Sequence, residues 1–119
     1  MPKMTKIDIV TRPNKLEELK EALNQIGVQG MTVSQVYGCG LQKGHTEVYR
    51  GREYAINLLP GVKLETVVCE VPVERVLEVA QKVLKTGQVG DGKIFVYHID
   101  DAVRIRTGVQ GIEAIMDEK

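Results

Sequence analysis

The chain has 119 residues, 16 Lys+Arg balanced by 16 Asp+Glu, and 43% hydrophobic residues. That length suits one domain with a core that needs neither metal nor disulfide. Zero net charge lacks the positive field behind non-specific nucleic-acid binding, and 4% aromatics supply few base-stacking platforms.

Lys6-Ile7-Asp8-Ile9-Val10 alternates polar and apolar, the period of a half-buried strand, and Pro13 closes it. Asn14 with Glu17 predicts a capping box, and Leu16, Leu19, Leu23 and Ile26 recur at helical spacing up to Gly27. A second strand is expected from Met31 to about Tyr37. From Gly38 to about Asn57 the pattern lapses into a glycine-punctuated polar segment with no element for its tyrosines. Loops of that length in a small domain are usually functional or disordered.

Regular structure resumes with a β-branched strand over Val62 to Val71, ended by Pro72. Val73, Val76, Leu77, Ala80, Val83 and Leu84 mark one face of a second helix, with Gly87 as its cap. Lys93 to Ile99 is an apolar strand, Val103 to Arg106 a short further one, and the tail 108–119 carries no clear pattern. The order βαββαβ, with right-handed crossovers, gives an α+β, ferredoxin-like sandwich. Both helices lie on one sheet face, so the other must be covered by another subunit.

Cys39 and Cys69 form no CxxC pair, which disfavours a zinc site or a secreted disulfide framework and favours a reducing cytoplasm. No run of about 20 apolar residues and no signal-peptide core is present, so membrane insertion is not expected. Gly90-Asp91-Gly92-Lys93 ahead of a strand suits a loop whose amides and lysine hold phosphate, and suits a tight turn equally well. Arg104 and Arg106, two apart on the short strand, would leave one face while Val103 and Ile105 face the core. Two such forks fit a polyphosphate, or are surface arginines neutralised by Asp100 and Asp101. His45 and His98 read as a solvated and a structural residue, and no nucleophile–base pair has a readable spacing.

Two long motifs go further. Gln42-Lys43-Gly44-His45-Thr46-Glu47-Val48-Tyr49-Arg50-Gly51 with Glu53-Tyr54, and Thr86-Gly87-Gln88-Val89-Gly90-Asp91-Gly92-Lys93-Ile94-Phe95, resemble the two signatures of the PII signal-transduction (nitrogen regulatory) family. The resemblance runs from about Lys6 to Gly108. It implies one PII-like domain over 1–119, a homotrimer with ATP or ADP in clefts between subunits, and Mg2+ with 2-oxoglutarate beside ATP in many members. The long loop, about 38–57, would then hold a membrane transporter or a metabolic enzyme.

Carried over by position, the resemblance assigns Thr32, Gly40 and Val67 to one side of the nucleotide cleft. It places Gly90, Asp91, Gly92, Lys93, Arg104 and Arg106 around the phosphates. Gln42 would join the magnesium shell, Tyr54 matches a tyrosine nucleotidylated in some members, and Tyr49, Arg50, Arg52 and Tyr54 would meet the target.

Three departures bear on ligand choice. Gly40-Leu41-Gln42 lacks the arginine usual in the family at its middle position, worth up to ~1.5–3 kcal/mol of charge-assisted bonding. Leu59-Pro60-Gly61 has glycine where the family lysine pairs with 2-oxoglutarate, and Lys63 is a poor substitute because relatives carry a lysine there too. Arg52 replaces the usual small residue before Glu-Tyr.

The leading expectation is a regulator that reads ATP against ADP, with 2-oxoglutarate sensing weakened or lost. The alternative is a conventional nitrogen regulator responding to Mg-ATP plus 2-oxoglutarate. An enzyme would be at most a slow ATPase, since no general base is evident. An RNA-binding ferredoxin-like domain has only Phe95 and Tyr97 at alternate strand positions to offer.

Overall fold

The computed structural model describes residues 3–41, 47–49, 52–54 and 56–116. In chain order it holds β1 (Met4–Thr11), α1 (Leu16–Gln25), β2 (Thr32–Leu41), β3 (Glu47–Tyr49), β4 (Arg52–Tyr54), β5 (Ile56–Val68), α2 (Val73–Leu84) and β6 (Lys93–Ile99). Four strands form an antiparallel sheet in the order β2-β5-β1-β6. This is the ferredoxin-like α+β arrangement that the order of elements implies.

Strand alternation decides the two faces. Ile7 and Ile9 of β1 with Leu64 and Val68 of β5 point to the helices, where they meet Leu19 and Leu23 of α1 and Val76, Ala80 and Leu84 of α2 in one core. Burying each such side chain contributes about 1.5–3 kcal/mol. The opposite face has no helix among the described residues. It carries Lys6, Asp8, Lys63 and Glu65, with the half-exposed Phe95 and Tyr97 along β6. Lys6 Nζ lies 2.9 Å from Glu65 and 3.5 Å from Asp8, and sits 5.4 Å from the Tyr97 ring centre. The bond between them holds the Glu65 carboxyl below its ordinary range and the Lys6 ammonium above its own.

Several boundaries differ from the sequence expectation, each for a local reason. Asn14 does not cap α1: Pro13 opens a 3-10 turn over Pro13–Lys15, so Asn14 lies inside the turn, and Lys15 at the helix boundary makes no side-chain cap. Gly87 does not cap α2 either, because the helix ends at Leu84 with Lys85 already extended. The segment 38–57 is not wholly a loop. β2 runs on to Leu41 and β5 begins at Ile56, paired from Val36↔Gly61 to Leu41↔Ile56.

This ribbon projects beyond β1, whose pairing with β5 reaches only Thr11↔Val62. With solvent on both sides, as the exposure of Leu58 on one face and Leu59 on the other shows, no polar–apolar alternation is required of it. Pro60 is tolerated because β2 is its sole strand neighbour there. Farther out β3 pairs with β4, Glu47↔Tyr54 to Tyr49↔Arg52, so Tyr49 and Tyr54 do belong to strands.

The clearest miss is the strand expected over Val103 to Arg106. A single bridge, Val103↔Gln110, remains of it, and residues 105–107 form a turn closed by Gly108 N–H donating to Arg104 O at 2.8 Å. Val103 is 55% and Ile105 100% exposed, so neither faces the core. Gly108, at φ 75°, permits the reversal that a four-residue alternation did not reveal.

Candidate functional site

The glycine loop is built from both of its flanks. The Asp91 carboxylate accepts from Thr86 N at 2.8 Å, from Thr86 Oγ1 and from Gly87 N at 3.0 Å. Those bonds, the Thr86 hydroxyl foremost, then the Thr86 and Gly87 amides and the Arg12 charge, hold its carboxyl below the usual aspartate range. The loop is also tied to the end of β1. Thr11 Oγ1 donates to Asp91 O at 2.8 Å, and Arg12 donates through Nε to Gly90 O at 3.0 Å and through Nη2 to Val89 O at 2.6 Å.

Gly92, at φ 111°, runs so close to β1 that a Cβ would land on the Val10 carbonyl oxygen. Glycine is therefore required there by space as well as by conformation. Lys93 opens β6 opposite Val10. The Asp91 carboxylate thus acts on the loop itself, holding it to Thr86 and Gly87. Arg12 is the residue that sequence reasoning missed. Only its place directly after β1, ahead of Pro13, marked it, and nothing local signals a partner 78 residues away.

Between this loop and the projecting ribbon lies an open groove of about 650 Å³. Arg12, Val89, Gly90 and Gly92 form one wall, and Val36, Gly38, Leu59 and Gly61 the other. Gly61 stands where a Cβ would come within 3.1 Å of Thr11 O. Gly40 lies farther along β2, paired with Asn57.

The remaining expected cleft residues lie elsewhere. Val67 faces β1 at Lys6, whereas Lys93 faces it at Val10, about 13 Å along the strand and on its other side. Thr32 opens β2 opposite Glu65. A smaller cleft of about 150 Å³ is lined by Gly27 to Gly30, Thr66 to Val71, Ile115 and Met116. Arg104 joins this second group through its guanidinium, Nη2 donating to Glu113 O at 2.9 Å and Met116 O at 2.5 Å. Arg106 is exposed in the 105–107 turn. The expected residues therefore separate along the sheet: Gly90, Gly92 and Lys93 lie by the end of β1, Val67 and Arg104 lie toward its start, and Thr32 lies between them, level with Asp8.

Tyr49, Arg52 and Tyr54 lie in the β3–β4 hairpin, while Gln42, Arg50 and His45 fall outside the described residues. Among the described residues no three His, Cys, Asp or Glu side chains converge on a metal position, and no helix is long and apolar enough to cross a membrane.

A four-stranded antiparallel sheet with both helices on one face among the described residues, a glycine-lysine loop at its rim and a long β-ribbon beyond it define an α+β ferredoxin-like module. Comparison with known proteins narrows the class. The family profile described as nitrogen regulatory protein P-II matches residues 4–109, and the chain belongs to that family.

A nitrogen regulatory protein P-II of Rhodospirillum rubrum is 54% identical over 112 residues, covering 94% of this chain and 100% of its own. A nitrogen regulatory PII-like protein of Bacillus subtilis is also 54% identical, covering 94% and 97%. The solved structure of the B. subtilis GlnK-ATP complex superposes with a TM-score of 0.82 at 54% identity, over 94% of this chain and 97% of that one. P-II proteins are regulatory signal-transduction proteins rather than enzymes.

Proposed function

We propose that the chain binds ATP and ADP in clefts completed between copies of itself, in a homotrimer, and passes the bound state through the 38–57 ribbon to a target. The observation that carries this reading is the division of the expected nucleotide-cleft residues. Gly90, Gly92 and Lys93 stand at one end of the sheet and Val67 and Arg104 toward the other, with Thr32 between them, level with Asp8. One chain holds two half-sites, and a second copy brings complementary halves together. The bare sheet face gives that copy a surface, and the GlnK-ATP complex is a relative of the same fold solved with ATP.

In this reading the loop amides and Lys93 hold phosphate, with Arg104 and Arg106 supplied by the neighbouring copy. Mg2+ arrives with the nucleotide phosphates, and Gln42 completes its shell. ATP and ADP contact the ribbon base differently and so shift its populations, and a transporter or metabolic enzyme in the cytoplasm binds one of them through Tyr49, Arg50, Arg52 and Tyr54. Tyr54 is the position where a nucleotidylating enzyme would act. A general base is not part of this scheme.

2-Oxoglutarate sensing is weakened or lost. Gly61 presents only backbone to the groove, beside Val36 and Leu59, and a missing lysine–carboxylate bond removes about 1.5–3 kcal/mol. Leu41 removes a second cation from the ribbon base. One observation favours the conventional nitrogen regulator instead. Arg12 lines the same groove as Gly61, although its guanidinium is bonded to the Val89 and Gly90 carbonyls. Titration calorimetry in saturating Mg-ATP separates the two. We expect no 2-oxoglutarate binding below millimolar concentration, and a micromolar dissociation constant would favour the conventional regulator.

A further inference from the structure

The C-terminal segment engages the same arginine that the proposed nucleotide site uses. It is an organised strap. Asp101 Oδ1 accepts from Ala102 N at 2.8 Å and Gly111 N at 3.1 Å, and Gly111 N also donates to Ala102 O at 2.9 Å. Arg104 N donates to Val109 O at 2.8 Å, which folds the chain back on itself. A 3-10 helix over Gly111–Ile115 then carries Ile115 and Met116 into the small cleft beside Gly30 and Val67. The Arg104 guanidinium clasps the carbonyls of Glu113 and Met116 at its end.

The Glu113 and Met116 carbonyls and a phosphate compete for the same planar fork, and phosphate forms the stronger pair because it is an anion that meets the guanidinium bidentately. A nucleotide that takes Arg104 must break the clasp, and by reciprocity the clasp must weaken the nucleotide. From this we infer that residues 111–116 are an autoinhibitory strap: Arg104 holds it closed over the Gly30–Val67 cleft, and nucleotide phosphate releases it. The inference rests on the nucleotide reading above. It adds that unliganded chains are partly closed, so apparent affinity is reduced by the closed fraction.

The test compares ATP binding by the full chain and by a chain ending at Gly111, using calorimetry. If the clasp is closed in about nine of ten molecules, removing it tightens binding about tenfold. Ile115→Asn, which unseats the strap while keeping its length, should move affinity the same way should the shortened chain fold poorly. Hydrogen exchange supplies an independent readout. The Met116 amide, bonded to Glu113 O at 3.3 Å, should exchange faster when ATP binds.

ATP bound equally well or more weakly without the strap, or slower Met116 exchange with ATP, overturns the strap while leaving the nucleotide reading intact. ATP bound by neither chain overturns both. ATP bound only after shortening establishes the strap in its strongest form.

Discussion

The two ends of the sheet offer similar sequence cues and fold differently. At one end Gly90-Asp91-Gly92-Lys93 is a built loop, with carboxylate, hydroxyl, guanidinium and backbone groups paired from both flanks. At the other, a single bridge at Val103 and a turn over 105–107 lead into the strap, and Arg104 reaches the tail carbonyls instead of standing on a strand beside Arg106. A glycine forced by backbone contact leaves a strong local mark in sequence. Two arginines in alternation leave a weak one, because four residues do not outweigh a following glycine turn.

The largest effect that would sharpen this contrast is on stability. Gly92→Ala, which drives a methyl into the Val10 carbonyl, should lower the unfolding free energy by about 3 kcal/mol or more in urea titrations. Gly108→Ala, with open space around it, should cost about 1–2 kcal/mol for its left-handed backbone alone. Equal costs would mean that the loop is no more tightly built than the strap.

Next in size is Arg12→Ala, which releases the Val89 and Gly90 carbonyls. Losing charge-assisted bonds of about 1.5–3 kcal/mol should weaken ATP binding roughly tenfold or more by calorimetry, with a smaller change in melting temperature. Unchanged affinity would show that the loop keeps its shape without that clasp.

The smallest effect is on pH dependence. Asp91 and Glu65 have folded-state values below their unfolded ones, so their stabilisation is complete above the unfolded carboxylate range and fades as pH falls through the lowered values. Lys6 is raised, so its contribution is complete below the unfolded lysine value and fades as pH climbs through the higher folded one. Stability should therefore be flat near neutrality. Asp91→Asn and Glu65→Gln should each make the acid limb of a melting-temperature profile shallower, and an unaltered acid limb in both would break the assignment.

The fold was legible because its signals are local and redundant. Leu16, Leu19 and Leu23 on α1, and Val76, Ala80 and Leu84 on α2, meet the alternating Ile7 and Ile9 in one core. The ribbon was not legible, since Val36 to Leu41 and Ile56 to Gly61 pair with each other in solvent and need no apolar period. In the glycine loop, the turn through Gly90 and Gly92 ahead of β6 was legible from the spacing of its glycines. Arg12 and the Arg104 clasp were not, because their partners lie far along the chain or in a tail without pattern.

The central claim, that each cleft is shared between copies, is tested most directly by complementation. Lys93→Ala and Arg104→Ala chains would be unfolded, mixed and refolded together, and ATP binding measured by calorimetry. Each variant alone should bind weakly. The mixture should regain wild-type affinity at the fraction of interfaces where an intact loop meets an intact arginine. A mixture no better than either variant alone would contradict the account, because it would place both residues in one site within one chain.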